Sequence, residues 1–514
     1  MAFAVTNFFR IVRAGFILAR HGALLPPEQT AQLPWIARQG LSLAQIGSDT
    51  REVGQSNRIS AALAALGPSY IKLGQFLATR PDVIGAKRAF ELKVLQDKLP
   101  PFSMNVAKAI VARELGQPVE TLFAFFSDSI AAASVAQVHK AVTHDGRTVA
   151  VKILRPDVDR RFAADIDSFG FVARMIERVS PEGRRLRPVA AVAMLEQSMK
   201  LELDLRMEAS ALGEMAENTK DDSGFRLPKV DWATTSKRVL TTEWMDGTPM
   251  ADVATLASRG LDLIALGDTV IQSFLRHAIR DGFFHADMHQ GNLMVDAAGN
   301  LVALDLGIMG RLGMKERLFL AEILYGFITR DYMRVAQVHF DAGYVPQTQD
   351  VNNFAQALRA IGEPILGLQA DQISMARLLT QLFEVTEQFE MQTQPQLLLL
   401  QKTMVVVEGV ARTLNPNLNM WKTAEPFVRS WIERTLGPLG KLQEAGESVR
   451  ALARLALQLP TLLDEGHKAM QTLAAQQEAA VQPRPDTVAA MKPWALAALV
   501  FSSIVLALMV GQLI

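Results

Sequence analysis

The stretch FHADMHQGN, residues 284–292, places two histidines, an aspartate, a glutamine and an asparagine within nine positions. One interpretation is a metal site in which His285, Asp287 and His289 are the ligands. The other is a loop that holds a catalytic base, Asp287, beside a phosphate group. In such a loop Asn292 would be a second functional residue and the histidines would be scaffold. The surrounding sequence decides between these two interpretations.

Asp287 and Asn292 are separated by four residues, which is the spacing of a protein-kinase catalytic loop. There a carboxylate orients or deprotonates the attacking hydroxyl or water, and an amide oxygen five positions later ligates a divalent cation. A D-x4-N match alone occurs often by chance. Here Asp305-Leu306-Gly307 follows in the place of the kinase D-F-G. Its aspartate would bring a carboxylate to Mg²⁺ on the phosphates, so Asn292 and Asp305 are the predicted metal ligands.

Upstream, Val149-Ala150-Val151-Lys152 lies on a predicted strand and is similar to the kinase V-A-I-K. The alternative is an edge-strand lysine that discourages aggregation. Because a strand–turn–strand unit surrounds Lys152, we interpret it as a cation that reaches the α- and β-phosphates of ATP. Its carboxylate partner should lie in a later helix, where Glu202, Asp204 and Glu208 are candidates. Helical spacing places Asp204 and Glu208 on one face.

Composition narrows the function classes. Hydrophobic residues make up 49% and charged residues 21% of the 514 positions, which predicts two to four folded domains. Basic and acidic residues number 53 each, so the chain as a whole has no net positive charge that would attract nucleic acid. No nucleic-acid partner is therefore expected. The chain has no cysteine, which excludes disulfides and a thiol nucleophile. A metal cage or hydrolase site at the histidines would leave Lys152 and Asp305 unexplained, so the phosphate-binding loop is favoured.

The hydrophobic pattern predicts an α+β fold with two lobes. Residues 1–125 have helical character, and SVAQVHKAV and RTVAVKIL predict a hairpin around His144-Asp145-Gly146. RVLTTEWM, 238–245, predicts a further strand, and a long helix around 261–281 leads into the opening stretch. LMVDAAGNLVALD predicts a second hairpin, and the chain beyond Asp305 is mostly helical to about 470.

Both ends of the chain carry apolar segments. The N-terminal MAFAVTNFFRIVRAGFILARHGALL predicts an amphipathic helix that docks on the protein itself, with a membrane-surface helix or a cleaved presequence as alternatives. Residues 493–514, PWALAALVFSSIVLALMVGQLI, contain no charge. As a helix they would extend about 30 Å, enough to cross a bilayer. Lys492 and Trp494 stand where interfacial anchors belong.

These features together resemble the UbiB family of atypical, protein-kinase-like proteins. GPSYIKLGQFLATRPD contains its K-x-G-Q motif, and Ala131-Ala132-Ala133-Ser134 resembles the alanine-rich loop that it has in place of kinase glycines. Glu202 and Asp204 match its E-x-D motif, and the loop at 284–292 is similar to its H-A-D-P-H-P-G-N. The resemblance covers roughly residues 60–310. Met288 and Gln290 replace the two prolines of the loop and Leu306 the phenylalanine of D-F-G, which puts loop rigidity in question rather than the chemistry.

The resemblance implies a two-lobed protein-kinase-like fold with a helical N-terminal extension and a C-terminal transmembrane helix. It implies a membrane-anchored kinase or ATPase that binds Mg-ATP and supports ubiquinone biosynthesis, acting on or near lipid intermediates rather than phosphorylating proteins in trans. Expected partners are membrane lipid, polyprenylated quinone intermediates and other quinone-biosynthesis enzymes. The expected location is the bacterial inner membrane, with the kinase-like domain in the cytoplasm. A nucleotide-binding scaffold and a small-molecule kinase of the aminoglycoside or choline type are the alternatives.

The resemblance also distributes roles among residues. From its position rather than from the resemblance, adenine is expected against residues 242–245, where a strand meets the connection between lobes and backbone groups are free to bond. The catalytic residues are Asp287 and Lys152. The nucleotide-binding residues are Ile130, Ala131, Ala132, Ala133, Ser134, Val138, Lys152, Glu208, Glu243 and Met245. The regulatory residues are Lys72, Gln75, Glu202 and Asp204, with Lys72 expected in a buried ion pair with Glu202 or Asp204. Because alanine disfavours the positive φ that glycine adopts, the alanine loop should hold nucleotide differently from a glycine loop.

The predicted domain boundaries follow from these segments. They are 1–60 for an N-terminal helical region, 61–125 for the K-x-G-Q extension, 126–245 for the first lobe, 246–440 for the second lobe, 441–492 for a helical region and linker, and 493–514 for the transmembrane helix.

Overall fold

The computed structural model describes residues 2–23, 55–78, 92, 99–179, 187–367, 384–385, 388–391 and 395–436. The predicted transmembrane helix at 493–514 and the linker before it lie outside these ranges. Within them, no helix combines the length and apolar character that a membrane span requires.

The elements alternate between helical blocks and small sheets. The helices are α1 Ala2–Arg20, α2 Gln55–Leu66, α3 Pro68–Ala78, α4 Met104–Leu115, α5 Val119–Leu122, α6 Val158–Val179, α7 Pro188–Glu202, α8 Leu205–Asn218, α9 Val253–Ser258, α10 Leu263–Leu275, α11 Met314–Thr329, α12 Tyr332–Asp341, α13 Val351–Gly367, α14 Pro395–Leu414 and α15 Met420–Leu436. The strands are β1 Phe123–Ala132, β2 Ala136–Thr143, β3 Thr148–Leu154, β4 Phe225–Arg226, β5 Val239–Glu243, β6 Thr248–Pro249, β7 Phe283–His285, β8 Leu293–Val295, β9 Leu301–Ala303 and β10 Met309–Arg311.

The N-terminal helices pack on the rest of the protein. Ile11, Ala14 and Leu18 of α1 are buried, and α1 contacts α2 and α6. Arg10 Nη1 lies 3.2 Å from Asp165 Oδ1 of α6. The predicted amphipathic helix is therefore present, and it docks on the protein's own body.

A four-stranded antiparallel sheet has the order β1-β2-β3-β5, and α4 covers one of its faces. The predicted hairpin is β2–β3, and the predicted strand at 238–245 is β5. Strand β1 was not predicted: residues up to 125 were expected to be helical and 131–134 to form a loop. Register shifts at three places along β1 explain the error, because bulges break the period-two alternation that identifies a strand.

The region after β5 is mainly helical, with two small sheets that position the opening stretch. Asp262 caps α10, whose end continues as a π-helix, Arg276–Asp281, and Gly282 closes it with φ 66°. That positive φ favours glycine, and a Cβ at this position would also collide with the carbonyl oxygen of Leu312. The chain then enters β7, which pairs with β10. These two strands of three residues were missed because they are too short to show a period.

The second predicted hairpin is β8–β9, within a sheet of order β4-β9-β8-β6. Helices α14 and α15 pack against α10, and one large core extends from Ala14 in α1 to Trp431 in α15. The mainly antiparallel strands and the separate helices constitute the predicted α+β arrangement.

Candidate active site

Both histidines of the loop at 284–292 form hydrogen bonds within the loop. His285 Nδ1 accepts the backbone N–H of Asp287 at 3.2 Å, and His289 Nδ1 accepts that of Gly291 at 3.0 Å. The carbonyl oxygen of Asp287 accepts the Asn292 side-chain amide N–H at 3.1 Å. The loop is therefore fixed by its own polar groups, and the carboxylate of Asp287 and the amide oxygen of Asn292 remain for other contacts.

The geometry does not support the metal-cage interpretation. His285 is 1% exposed, and burial lowers its pKa, although the carboxylates of Asp287 and Asp305 oppose that shift. Among the residues that the structure describes, no three His, Asp or Glu side chains are grouped so that they could hold a metal ion.

Lys152 forms the centre of an ion-pair cluster. Its Nζ lies 2.8 and 2.9 Å from the two carboxylate oxygens of Glu208 and 2.8 Å from Asp305 Oδ2. The N–H of Gly307 donates to Asp305 Oδ1 at 2.9 Å, and a Cβ on Gly307 would crowd that oxygen. The backbone N–H of Leu304 donates to the Asn292 carbonyl at 3.0 Å. The cluster and the loop at 284–292 are thereby joined.

One ammonium is shared by two carboxylates, and this sets the pKa values of all three groups. Burial raises the pKa of Glu208 to about 7, with a contribution from Asp305 that the Lys152 ammonium opposes. Burial would also raise the pKa of Asp305, but Lys152 outweighs it and the pKa is held far below its usual range. Burial would lower the pKa of Lys152, and the two carboxylates raise it instead. The cluster therefore keeps Lys152 charged and disfavours simultaneous ionisation of both acids.

The four residues that were predicted to be regulatory do not form one cluster in the structure. Lys72 on α3 is buried and pairs with Glu202 at the end of α7, and the carboxylate of Glu202 adds to the forces that raise the Glu208 pKa. Asp204 instead caps α8 and bonds Arg206 Nη2 at 2.7 Å. The break between α7 and α8 separates Glu202 from Asp204 and Glu208, and of the three candidate carboxylates it is Glu208 that pairs with Lys152. Gln75 lies one turn after Lys72 on α3 and is half-buried.

The alanine segment is a strand end and a tight turn rather than an open loop. Ala131 pairs with Val138 across β1 and β2, and the N–H of Ala133 donates to the Ala136 carbonyl at 2.8 Å. That N–H is therefore already bonded, unlike the free backbone donors that phosphate loops present. Arg155 Nη2 donates to the Ala133 carbonyl at 2.8 Å and holds the turn.

The remaining predicted nucleotide contacts lie along the same sheet. Ile130 on β1 is 51% exposed, and Ser134 is buried in the turn. The backbone N–H groups of Glu243 and Trp244 were expected to be free. They instead donate to the carbonyls of Lys229 and Thr148. No backbone hydrogen bond of Met245 is present within the described ranges.

Two cations were missed in the sequence. Lys402 on α14 has its Nζ 3.6 Å from Asp287 Oδ1, and Arg155 holds the alanine turn. Arg155 stands three residues after Lys152, where the strand position alone could have drawn attention to it. Lys402 lies 115 positions after Asp287, and no local pattern relates the two.

Comparisons with known proteins agree with these features. Residues 94–339 match the ABC1 atypical kinase-like domain, and residues 358–419 match the UbiB helical domain. A protein from Marinobacter nauticus named "Probable protein kinase UbiB" is 38% identical over 80% of this chain and 77% of its own length. A protein of the same name from Pseudomonas paraeruginosa is 36% identical over 90% of this chain and 88% of its own length.

A solved structure from Mycobacterium tuberculosis, determined in complex with erythromycin, is also similar. It is 24% identical, with a TM-score of 0.49, and the match covers 76% of this chain and 97% of that chain.

Proposed function

The chain belongs to the UbiB family of ABC1 atypical kinase-like proteins, and we propose that it is a membrane-anchored, ATP-consuming enzyme of ubiquinone biosynthesis. The observation that carries the proposal is the Lys152–Glu208–Asp305 cluster. Lys152 and Asp305 are 153 positions apart in the chain, yet all three residues meet at one ammonium group. Leu304, next to Asp305, donates its backbone N–H to the carbonyl of Asn292. That constellation is the one that positions the phosphates of ATP in kinases.

Each residue of the site has a task that its position supports. Lys152, kept charged by its two carboxylates, would hold the α- and β-phosphates. Glu208 would keep the Lys152 side chain extended toward them. Asp287 would orient the attacking hydroxyl or water and accept its proton, since its carboxylate is partly exposed and no backbone N–H of the described residues donates to it.

The residues present fit a magnesium ion. Mg²⁺ needs only one or two protein carboxylates because phosphates and waters complete its shell. The Asn292 amide donates its N–H to the loop, which leaves its oxygen as a ligand, and the Asp305 side chain is 43% exposed. When bound, the ion would neutralise charge on the β- and γ-phosphates.

The site also supports an acceptor other than a protein in trans. The buried Lys72 pairs with the half-buried Glu202 and so ties helix α3 to the end of α7 close to Glu208. An extension anchored there would occupy space that a protein substrate needs. The uncharged segment 493–514 supports a membrane anchor, with the kinase-like domain in the cytoplasm of a bacterium. The acceptor would then be a polyprenylated lipid intermediate, or water while other quinone enzymes are assembled.

Complementation tests the proposal. A ubiquinone-producing bacterium whose own UbiB-type protein is deleted would receive wild type, Asp287→Asn or Asp341→Asn, and its ubiquinone content would be measured. Asp341 is an exposed carboxylate at the end of α12 and serves as the matched control. Wild type and Asp341→Asn should restore ubiquinone, and Asp287→Asn should fail while accumulating to the same protein level.

Two other outcomes have defined meanings. Restoration by Asp287→Asn would favour a nucleotide-binding scaffold over an enzyme. Normal ubiquinone in the deletion strain, or a phosphorylated small product that depends on Asp287 and is unrelated to quinones, would reject the pathway and favour a small-molecule kinase.

A further inference from the structure

Helix α14 lies directly on the loop that carries Asp287. Thr403 Oγ1, which is fully buried, donates to the Ala286 carbonyl at 3.0 Å. Gln290 Nε2 donates to Thr413 Oγ1 at 2.9 Å near the C-terminal end of the helix. The helix therefore contacts the loop on both sides of Asp287. It belongs to the segment that matches the UbiB helical domain, after the part that matches the kinase-like domain.

Lys402 brings a positive charge from this helix to the Asp287 carboxylate. Its Nζ is 3.6 Å from Asp287 Oδ1, and the two side chains are 31% and 28% exposed. That distance exceeds a hydrogen bond, so the Asp287 carboxylate does not take up the N–H donors of the ammonium. A partly exposed ion pair of this kind contributes little to stability. The position of Lys402 is therefore better explained by a ligand at the loop than by the fold.

His289 occupies the other side of the same carboxylate. Because its Nδ1 accepts the Gly291 N–H, the neutral ring carries its hydrogen on Nε2, which faces Asp287 Oδ2 at 3.5 Å. The two oxygens of Asp287 thus have separate neighbours, and Lys402 is the one held by a different part of the fold.

We propose that Lys402 is a further catalytic residue, which neutralises charge on the phosphoryl group during transfer or hydrolysis. The proposal rests on the ATP chemistry proposed above. In the step, the bond between the γ-phosphorus and the bridging oxygen breaks and its electron pair leaves with ADP. A bond forms to the acceptor oxygen, whose proton passes to Asp287. Lys402 exchanges no proton; it opposes the negative charge on the γ-oxygens, which an ammonium does most effectively at a partly desolvated site.

The absence of cysteine from the chain allows a selective test. In purified full-length protein, Lys402→Cys should lower kcat for phosphate release from ATP by about tenfold to a hundredfold, with KM for ATP little changed. Alkylation with 2-bromoethylamine restores a primary ammonium at nearly the original length and should recover most of kcat. Alkylation with iodoacetamide adds a neutral group and should not.

The matched control is Lys422→Cys, which replaces an exposed lysine on α15 and should behave as wild type before and after either reagent. Lys402→Arg, which keeps the charge, should retain more activity than Lys402→Met. This pair gives the same comparison without alkylation if the cysteine variant is poorly folded.

The outcomes separate this proposal from the one on which it rests. If Lys402→Cys and Lys402→Met release phosphate as fast as wild type, the proposed role of Lys402 is wrong. The same holds if both alkylating reagents restore activity equally. Neither result affects the proposed ATP chemistry. If Asp287→Asn releases phosphate as fast as wild type, the proposed ATP chemistry is wrong, and the role of Lys402 with it.

Discussion

Glu208→Gln tests how two carboxylates share the Lys152 ammonium. Glu208 is 7% exposed, whereas the Asp305 side chain is 43% exposed, so the cost of burying a charge falls mainly on Glu208. With all three groups ionised the cluster carries one net negative charge. The pKa of Glu208 is accordingly raised to about 7. Glutamine has nearly the same shape and cannot ionise, so the variant removes the titration and keeps the packing.

The sign of the effect follows from proton binding. An unfolded glutamate ionises near pH 4.5 and the folded Glu208 near pH 7. Between these values the folded protein holds a proton that the unfolded chain has lost. The contribution of Glu208 to the free energy of unfolding is therefore fully present below pH 4.5 and is lost as the pH rises through 7. The difference between the two pKa values corresponds to about 3 kcal/mol.

Urea unfolding of both proteins, followed by tryptophan fluorescence between about pH 5 and pH 8, measures this difference. The glutamine variant should gain stability relative to wild type as the pH rises. Glu425→Gln, which removes a carboxylate paired with Arg429 outside the cluster, reports any effect common to losing a carboxylate. A Glu208→Gln variant that instead loses relative stability with rising pH would show that attraction to Lys152 outweighs burial. A difference independent of pH would refute the reasoning as well.

Three further perturbations address other parts of the structure. Lys72→Met leaves the Glu202 carboxylate without its buried partner, and should lower the free energy of unfolding by about 3 to 5 kcal/mol, much of which the double variant with Glu202→Gln should recover in a double-mutant cycle. Burial lowers the pKa of His277 to about 3, so wild type should lose stability as the pH falls from 6.5 toward 3; His277→Phe should remove on the order of 2 kcal/mol of that loss at pH 4.5, measured by urea titration. Gly310→Ala would drive a methyl group into the buried Phe284 ring and should cost about 1 to 3 kcal/mol in thermal or urea unfolding. Gly409→Ala, with open space at its Cβ in the middle of α14, is the control and should stabilise by up to about 1 kcal/mol.

Local patterns predicted the elements that have a clear period or turn. The hairpins β2–β3 and β8–β9, strand β5 and helix α10 all formed where alternation, helical spacing or a Gly-containing turn indicated them. Strand β1 was missed because its bulges interrupt the alternation. Strands β7 and β10 were missed because three residues contain no measurable period, and only their mutual pairing makes them strands.

The assignment of acidic partners shows the same limit within the site. Among Glu202, Asp204 and Glu208, spacing could only list candidates for Lys72 and Lys152. At the break between α7 and α8, Asp204 caps the second helix. Glu202 pairs with Lys72, and Glu208 pairs with Lys152. A helix end is determined by capping and by what packs beside it, so spacing alone could not assign the three carboxylates to their partners.

The sequence by itself determined which chemical groups are available and their local spacing. The D-x4-N loop, the D-L-G turn and the lysine of V-A-V-K indicated a kinase-like site, and the K-x-G-Q, alanine-rich and E-x-D motifs together with them indicated the family. Only the tertiary structure decided that Lys152 is shared between Glu208 and Asp305, and that Lys402 comes from α14 to Asp287. The physical reason is that spacing along the chain sets geometry within a turn or a helix, whereas contacts across more than a hundred residues depend on how whole elements pack.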